Sequence, residues 1–567
     1  MMGVGVAGVL TIASLRFQAG KAPGAVPLTV NGERVVVLVG PNNAGKSLAL
    51  REIEQWCAGT DAVYKVISQV TVEWPTTGEE SEALIRVFEV DPPAGNIASP
   101  GNIFASVHSL TPGSQAQIMQ IGIDYLRSQL SNELYLRQQL LRLYTARLDG
   151  RTRFQLSTSQ PTGDLQDAPQ NHLWALFQND TNRGRVRELT DEAFGLHFTV
   201  DPTAMTQFRI RMSDRPPADD AEEQGLDARS RAFHSGASPI EDLSDGVQAF
   251  TGLVSSIMSL PHKVLLVDEP EAFLHPPLAR RLGRNLSDIA SERAASLFVS
   301  THSSDFVMGC IESNASTAIV RLTYDQGVAT AQALDAGEIS SLLEDPLLRS
   351  TGALRALFHR AAIVTEADSD RAFYEEVNRR LQIDGRGAAD TLFLNAQNWQ
   401  TIARVIKPLR KIGIAAAGIL DLDTVEEASG WPAIYDALAL TAQEISTSES
   451  LRIPAATALT AIGRDSYKRT GLSSVPQFTG ANAVWAYLAH MATFGIFIVS
   501  VGELESWLGV LGVGRTAKKR DWITSMFHRL GASPSVSDYV KASTGDVWDF
   551  VDSVPVWIAD PQRSGMP

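Results

Sequence analysis

The chain is poor in cysteine, and its two, Cys57 and Cys310, stand far apart with no third nearby. That excludes a disulfide framework and a zinc site built from cysteines, and it fits a reducing cytoplasm. No stretch reaches the ~18–20 consecutive apolar residues that a membrane helix needs, so no membrane partner is expected. The uncharged opening, Met1 to Ser14, lacks the basic start of a signal peptide and runs into Arg16, which predicts a first strand after a ragged beginning. Basic residues are the minority. A net charge of −15 excludes a generally basic coat, so nucleic-acid contact has to come from local Arg and Lys clusters. Fixed-period repeats and low-complexity tracts are also missing.

What is present begins with Gly40-Pro41-Asn42-Asn43-Ala44-Gly45-Lys46-Ser47, directly after the apolar run Val35 to Val39 and before a helix-like segment from Leu48. A buried strand turning through glycines into a helix points backbone N–H groups at one spot, where they and the helix dipole hold phosphates. Asn42, Asn43 and Gly45 shape this P-loop, Lys46 is placed to neutralise the β/γ-phosphates, and Ser47 to ligate Mg²⁺. ATP is the expected cofactor. Farther on, Val264 to Val267 is an apolar strand ending in Asp268-Glu269. Such a Walker B strand offers Asp268 to Mg²⁺ and Glu269 to the attacking water.

Leu243-Ser244-Asp245-Gly246-Val247-Gln248 resembles the ABC signature, in which a serine and a glycine-opened helix N-terminus grip the γ-phosphate of the opposite subunit. Phe298 to Ser303 ends a further strand in His302, where ABC-type ATPases carry a switch histidine. With Asp268-Glu269-Pro270-Glu271-Ala272-Phe273-Leu274-His275-Pro276, the order resembles the SMC/RecF-like branch of ABC ATPases. The resemblance implies a homodimer or higher homo-oligomer with ATP between protomers, because Ser244 cannot reach its own P-loop. It also implies an inserted helical arm between Walker A and the signature.

The second half opens a new α/β pattern. Ala361 to Thr365 is an apolar strand delivering Glu366, Asp368 and Asp370, and Ile414 to Leu420 is another, ending in Asp421-Leu422-Asp423. Residues two apart in a strand share a face, so Asp421 and Asp423 are expected to co-ligate one cation. Glu366 is expected beside them at the carboxyl edge of a parallel sheet. This pattern resembles the TOPRIM domain, with Ala367 where glycine is usual. The joining of an ABC ATPase to a TOPRIM domain resembles the overcoming-lysogenization-defect (OLD) class of nucleases. That resemblance implies that Glu505 and a lysine, Lys518 or Lys519, complete a Mg²⁺ or Mn²⁺ site with Glu366, Asp370, Asp421 and Asp423. It further implies metal-dependent endonuclease activity on nucleic acid, DNA foremost, and a role in bacterial anti-phage defence, with a partner defence protein conceivable.

The expected fold class is thus α/β: an ABC-type ATPase domain over 1–345 with a helical insertion at about 113–235, a linker at 346–360, a TOPRIM domain over 361–527 and a tail over 528–567. Within this frame, Tyr64 to Val90 reads as a strand meander, and about 115–147 as one long helical pattern bearing Arg127, Arg137, Arg142 and Arg147. Residues 213–235 read as a mobile loop and 335–349 as a connector. The alternative is a nucleotide-switched sensor whose TOPRIM domain is non-catalytic or works through a partner effector. A primase lacks its zinc cysteines here, and nothing marks a topoisomerase strand-passage domain.

Overall fold

The computed structural model describes residues 10–60, 62–92, 97, 99–107, 117–150, 153–325, 327–474, 480–515 and 519–566. The chain forms two compact units, 1–336 and 337–567. Among the described residues no helix is long and apolar enough to cross a membrane.

The first unit is built on a six-stranded sheet in the order Val328–Leu334, Thr317–Asp325, Val35–Val39, Ser296–Ser300, Val264–Asp268, Thr145–Leu148. All neighbours are parallel except the first pair. Val35–Val39 is buried at every residue, the signature of a central parallel strand covered on both faces. Each such Val or Leu contributes about 1.5–3 kcal/mol by leaving water. The helix Lys46–Cys57 follows and is pinned to the strand Ile67–Glu73: the buried Glu52 carboxylate accepts the N–H groups of Lys65, Val66 and Ile67 at 2.7, 2.9 and 2.9 Å. Smaller antiparallel sheets surround this core.

Several expectations fail here. Tyr64 to Val90 is a strand, a capped helix Gly78–Arg86 and a two-residue strand, because Thr77 and Glu80 form a capping box that starts a helix inside the alternating pattern. The single helix expected over 115–147 is a strand Gln117–Gly122, short helices Ile123–Ser128 and Glu133–Gln139, and the strand Thr145–Leu148. The insertion is accordingly mixed, not helical, and it returns a strand to the main sheet beside Val264–Asp268. Residues 213–235 hold helices Asp220–Gln224 and Ala228–Gly236, each N-capped by an aspartate. The 335–349 connector is helical too, with Ala336–Glu344 and Pro346–Thr351.

The second unit has a four-stranded parallel sheet in the order Thr391–Asn395, Ala361–Thr365, Ala415–Leu420, Ile496–Ile498. Small residues in Ala415–Leu420 let a helix close in, and a Cβ on Gly418 would meet Ile406 Cδ1 at 3.1 Å and Ile496 Cδ1 at 3.0 Å. Residues 528–567, set apart in the sequence as a tail, belong to this core: helix Asp546–Ala559 buries Val547, Trp548, Val551 and Val554 beside Phe373, Trp507 and Trp522.

Candidate functional site

The strand order of the first unit sets the strand Ser296–Ser300 between Walker A and Walker B, with Ser300 level with both Asp268 and Leu38. Gly40 leaves the first strand at φ 138, and a Cβ there would lie 2.1 Å from Leu322 O, so only glycine fits the turn. Gly45, at φ 92, opens the helix. Asn42 and Asn43 are exposed at the loop tip, Asn43 in the left-handed region at φ 62. Lys46 is 5% exposed and folds back onto its loop, donating to Gly40 O at 2.7 Å and Pro41 O at 2.9 Å. Ser47 Oγ donates to Asp268 Oδ1 at 3.0 Å, and Ser300 Oγ donates to the same oxygen. The structure thus brings the Ser47 and Asp268 side chains together.

Glu269 takes a positive φ of 48 and donates its N–H to Ser300 O at 2.9 Å. Its carboxylate is half exposed, with Oε1 3.7 Å from His302 Nε2. The His302 N–H donates to Glu271 Oε1 at 2.7 Å, and burial raises the Glu271 carboxyl above the ordinary glutamate range. Ser244 is exposed at the N-cap of helix Asp245–Ser259, and a Cβ on Gly246 would lie 3.1 Å from Phe273 O. The sequence reading missed Ser300, Glu271 and Arg153. Arg153 is 1% exposed and donates to the carbonyls of Asp268, Glu269, Pro270 and Ala272.

In the second unit, the Asp421 N–H donates to Glu366 Oε1 at 2.7 Å, across the ends of two adjacent parallel strands. Ala367 sits at φ −134, which any residue adopts, so alanine in place of glycine strains nothing. Asp370 is buried and its Oδ2 accepts the Ala367 N–H at 3.1 Å, which caps helix Asp368–Ile383. Tyr374, 1% exposed, lies within reach of these acids: burial first, then the charges of Asp421, Asp370 and Glu366, hold its hydroxyl well above the usual tyrosine pKa.

The shared strand face for Asp421 and Asp423 is not found. The strand ends at Leu420 and the chain turns into the 3-10 helix Leu422–Val425, so the period-two argument no longer applies. Asp423 Oδ2 instead meets Arg464 Nη2 at 2.6 Å and Lys468 Nζ at 2.9 Å. Burial would raise this carboxyl, but the hydrogen bonds from Lys468 and Arg464 outweigh it and leave it below the ordinary aspartate range. Lys468 also meets Glu503 Oε1 at 2.8 Å, and Arg515 lies 3.4 Å from Glu503 Oε2.

Two glycines permit this approach. Gly502, at φ 98, lies so close that a Cβ would be 2.4 Å from Tyr467 O and 2.5 Å from Lys468 O; Gly471, at φ 57, presses likewise on Ser500 and Val501. Glu503, not Glu505, joins the charged cluster. Glu505 sits in the turn Leu504–Ser506, and its buried Oε2 has no hydrogen-bond partner among the described residues. Lys518 lies outside the described residues, and Lys519 begins the helix Lys519–Leu530. Among the described residues no group of three or more His, Cys, Asp or Glu is disposed to hold a metal ion, so the expected five-acid ligand set is not assembled. The physical reason is local: Asp423 is held by two cations and Asp370 by a helix cap.

Residues 159–309, which span the signature, Walker B and His302, match the AAA_21 family, described as AAA domain, putative AbiEii toxin, Type IV TA system. No curated protein matches the chain. Similar solved structures include an SMC head bound to the C-winged helix domain of ScpA (14% identity, 58% of this chain and 99% of that one, TM-score 0.34). An SMC head domain from Thermotoga maritima is 15% identical over 57% of this chain and 99% of that one, with a TM-score of 0.28. A third, the Smc head with an extended coiled coil bound to the C-terminal domain of ScpA from Pyrococcus furiosus, is 13% identical over 59% and 99%, with a TM-score of 0.29. Likeness at these scores carries no argument. The first unit is thus an α/β domain in which residues 159–309 match an AAA-type family and the Ser47 and Asp268 side chains meet.

Proposed function

We propose that the chain is an ABC-type ATPase joined to a TOPRIM-type, divalent-metal-dependent endonuclease that cuts nucleic acid, in the manner of the OLD class, within the cytoplasm. The cutting half rests on one observation: Glu366 and Asp421 meet, 2.7 Å from carboxylate to backbone N–H, at the carboxyl edge where parallel α/β sheets place their sites. On this reading the first unit binds ATP through Lys46, Ser47 and Asp268, with Asn42, Asn43 and Gly45 shaping the phosphate loop. Glu269 orients and deprotonates the attacking water, and His302 beside it senses the γ-phosphate. Ser244 and Gly246 act on the nucleotide of a second copy, which makes the active form a homodimer.

In the second unit Glu366 and Asp421, at the carboxyl edge of one parallel sheet, are hard oxygen donors of the kind Mg²⁺ and Mn²⁺ take. Such a cation, when bound, supplies Lewis acidity and lowers the pKa of water. Lys468, set between Asp423 and Glu503, takes the charge-offsetting role in place of Lys518 or Lys519. A defence role against phage extends from the OLD resemblance, and the description of the matched family as a putative toxin agrees with such a setting.

The test is nicking of plasmid DNA and cleavage of RNA by the purified protein with ATP and Mg²⁺ or Mn²⁺, beside Asp421→Ala. Cleavage lost in the variant supports the reading. Intact nucleic acid under every condition, with ATP still bound, overturns the nuclease half.

A second reading has its own observation. Asp423 is already paired with Arg464 and Lys468, which suits a nucleotide-switched sensor whose second unit binds a partner and cuts nothing. A folded Asp421→Ala protein that keeps its full biological effect would favour it.

A further inference from the structure

The Walker B turn is an awkward piece of chain. Glu269 is held at φ 48 and Phe273 at φ 70, both in the left-handed region that side chains disfavour. Such a turn persists only where its surroundings over-determine it. Those surroundings converge on one side chain, Arg153, whose guanidinium donates to Asp268 O at 3.0 Å, Glu269 O at 2.7 Å, and Pro270 O and Ala272 O at 3.3 Å each. Burial lowers the Arg153 pKa, and the charges of Glu271, Glu269 and Asp268 work against that loss. A buried cation of this kind is costly to place unless its hydrogen bonds are filled.

The backbone that carries Arg153 is itself anchored elsewhere. Its segment, continuing as the 3-10 turn Phe154–Ser157, lies against the middle of the signature helix Asp245–Ser259. There a Cβ on Gly252 would meet Arg153 O at 3.0 Å, Leu156 Cβ at 3.2 Å and Ser157 N at 3.3 Å, so the helix backbone lies close against the turn. On its other side Phe154 packs edge-on against Phe273 of the Walker B turn, ring centroids 4.7 Å apart. His172 holds the same turn from a third direction, Nε2 to Leu156 O at 2.8 Å.

We infer that Arg153 is a positioning residue for ATP hydrolysis: a strut seated on the signature helix that fixes the backbone of Glu269, so that the carboxylate aims correctly only when that helix is in place. The Arg153 guanidinium donates to main-chain carbonyls of the Walker B turn. It acts through Glu269, and the inference rests on the ATPase reading above. It ties the helix that carries Ser244 to the residue that handles water, within one chain.

The experiment is a double-mutant cycle on steady-state ATP turnover, with fluorescent-ATP affinity as the second readout. In Arg153→Met, which keeps the apolar stem and removes every donor, kcat is expected to fall about tenfold or more while affinity stays within about twofold, since removal of a properly placed base is worth about 10²–10⁴ in rate. Arg153→Lys, which restores one cationic donor, is expected to recover part of the loss and serves as the readable variant should Met prevent folding.

The deciding comparison is in the Glu269→Gln background. There Arg153→Met, or Arg153→Lys in its stead, should cost nothing more, because the group it positions is gone. Losses that multiply, or a loss of affinity equal to the loss of rate, would overturn the positioning role. If the unaltered protein shows no ATP turnover, the ATPase reading falls and the inference falls with it; turnover with multiplying losses removes the inference alone.

Discussion

Lys468 Nζ stands 2.9 Å from Asp423 Oδ2, and the ammonium also reaches Glu503 at 2.8 Å. Removing that ammonium leaves two partly buried acids with fewer partners.

Lys468→Met is therefore expected to destabilise the second unit by about 1–2 kcal/mol, less than the usual 3–5 for a broken buried pair because Arg464 and Arg515 remain. The sign with pH follows from Asp423, whose folded pKa lies below its ordinary value. Its stabilisation is present above the unfolded value of about 3.9 and is lost as pH falls through the folded one. Urea unfolding should show the full wild-type advantage at pH 7 and a shrinking one below about pH 4. An advantage independent of pH would contradict the pairing.

Gly502→Ala should be worse. The residue sits at φ 98 with two carbonyl oxygens within 2.5 Å of any added Cβ. Strain plus displaced backbone is expected to cost about 2–4 kcal/mol. The Arg464–Thr470 helix should also move away from Asp423, which a crystal structure or crosslinking of the folded variant would reveal.

In the first unit, Lys46→Ala is expected to abolish ATP binding by calorimetry. Glu269→Gln should bind ATP normally and turn it over about 10²–10⁴ times more slowly. It should also lengthen the life of an ATP-dependent dimer in size-exclusion chromatography. Equal turnover in wild type and Glu269→Gln would show that the water-handling role belongs elsewhere.

His262 gives an acid-side prediction. It is 4% exposed, neither ring nitrogen has a hydrogen-bond partner among the described residues, and burial, helped by Arg293, pushes its pKa down to about 3. The folded protein keeps it neutral while the unfolded chain takes a proton below about 6.5. Stability is thus full above that pH and declines as pH falls toward the folded value. His262→Leu, of similar volume and with nothing polar to desolvate, should flatten this part of the melting-temperature profile between pH 6.5 and 4. An unchanged profile would show that His262 is not the titrating group.

How far the sequence could be read depends on where each residue finds its partners. Lys46, Ser47 and Asp268 announce themselves because a phosphate loop and an acid-tipped strand are local chain features, and the sheet brings them to 3.0 Å. Glu366 and Asp421 stand out in the sequence for the same reason: each directly follows an apolar strand. Arg153 was not, since its partners are main-chain carbonyls 115–119 residues away and leave no side-chain trace. The face expected to be shared by Asp421 and Asp423 is absent because the period of two stops at Leu420, where the strand turns into a 3-10 helix. Lys468 went unnoticed because two glycines, not a motif, bring it to the acids. The long helix expected around Arg127 and Arg137 was a sum of short amphipathic pieces whose periods happen to run on, although Asn132 caps a new helix midway.

Because Thr145–Leu148 pairs along Val264–Val267, the chain between the P-loop and the signature is woven into the sheet and cannot be lifted out as a cassette. Excising 113–235 would strip a strand from the sheet and leave the backbone leading to Asp268 as a raw edge, open to pairing with other chains. An engineer wishing to shorten this protein, or to graft its ATPase, would have to keep that strand and the Arg153 segment behind it.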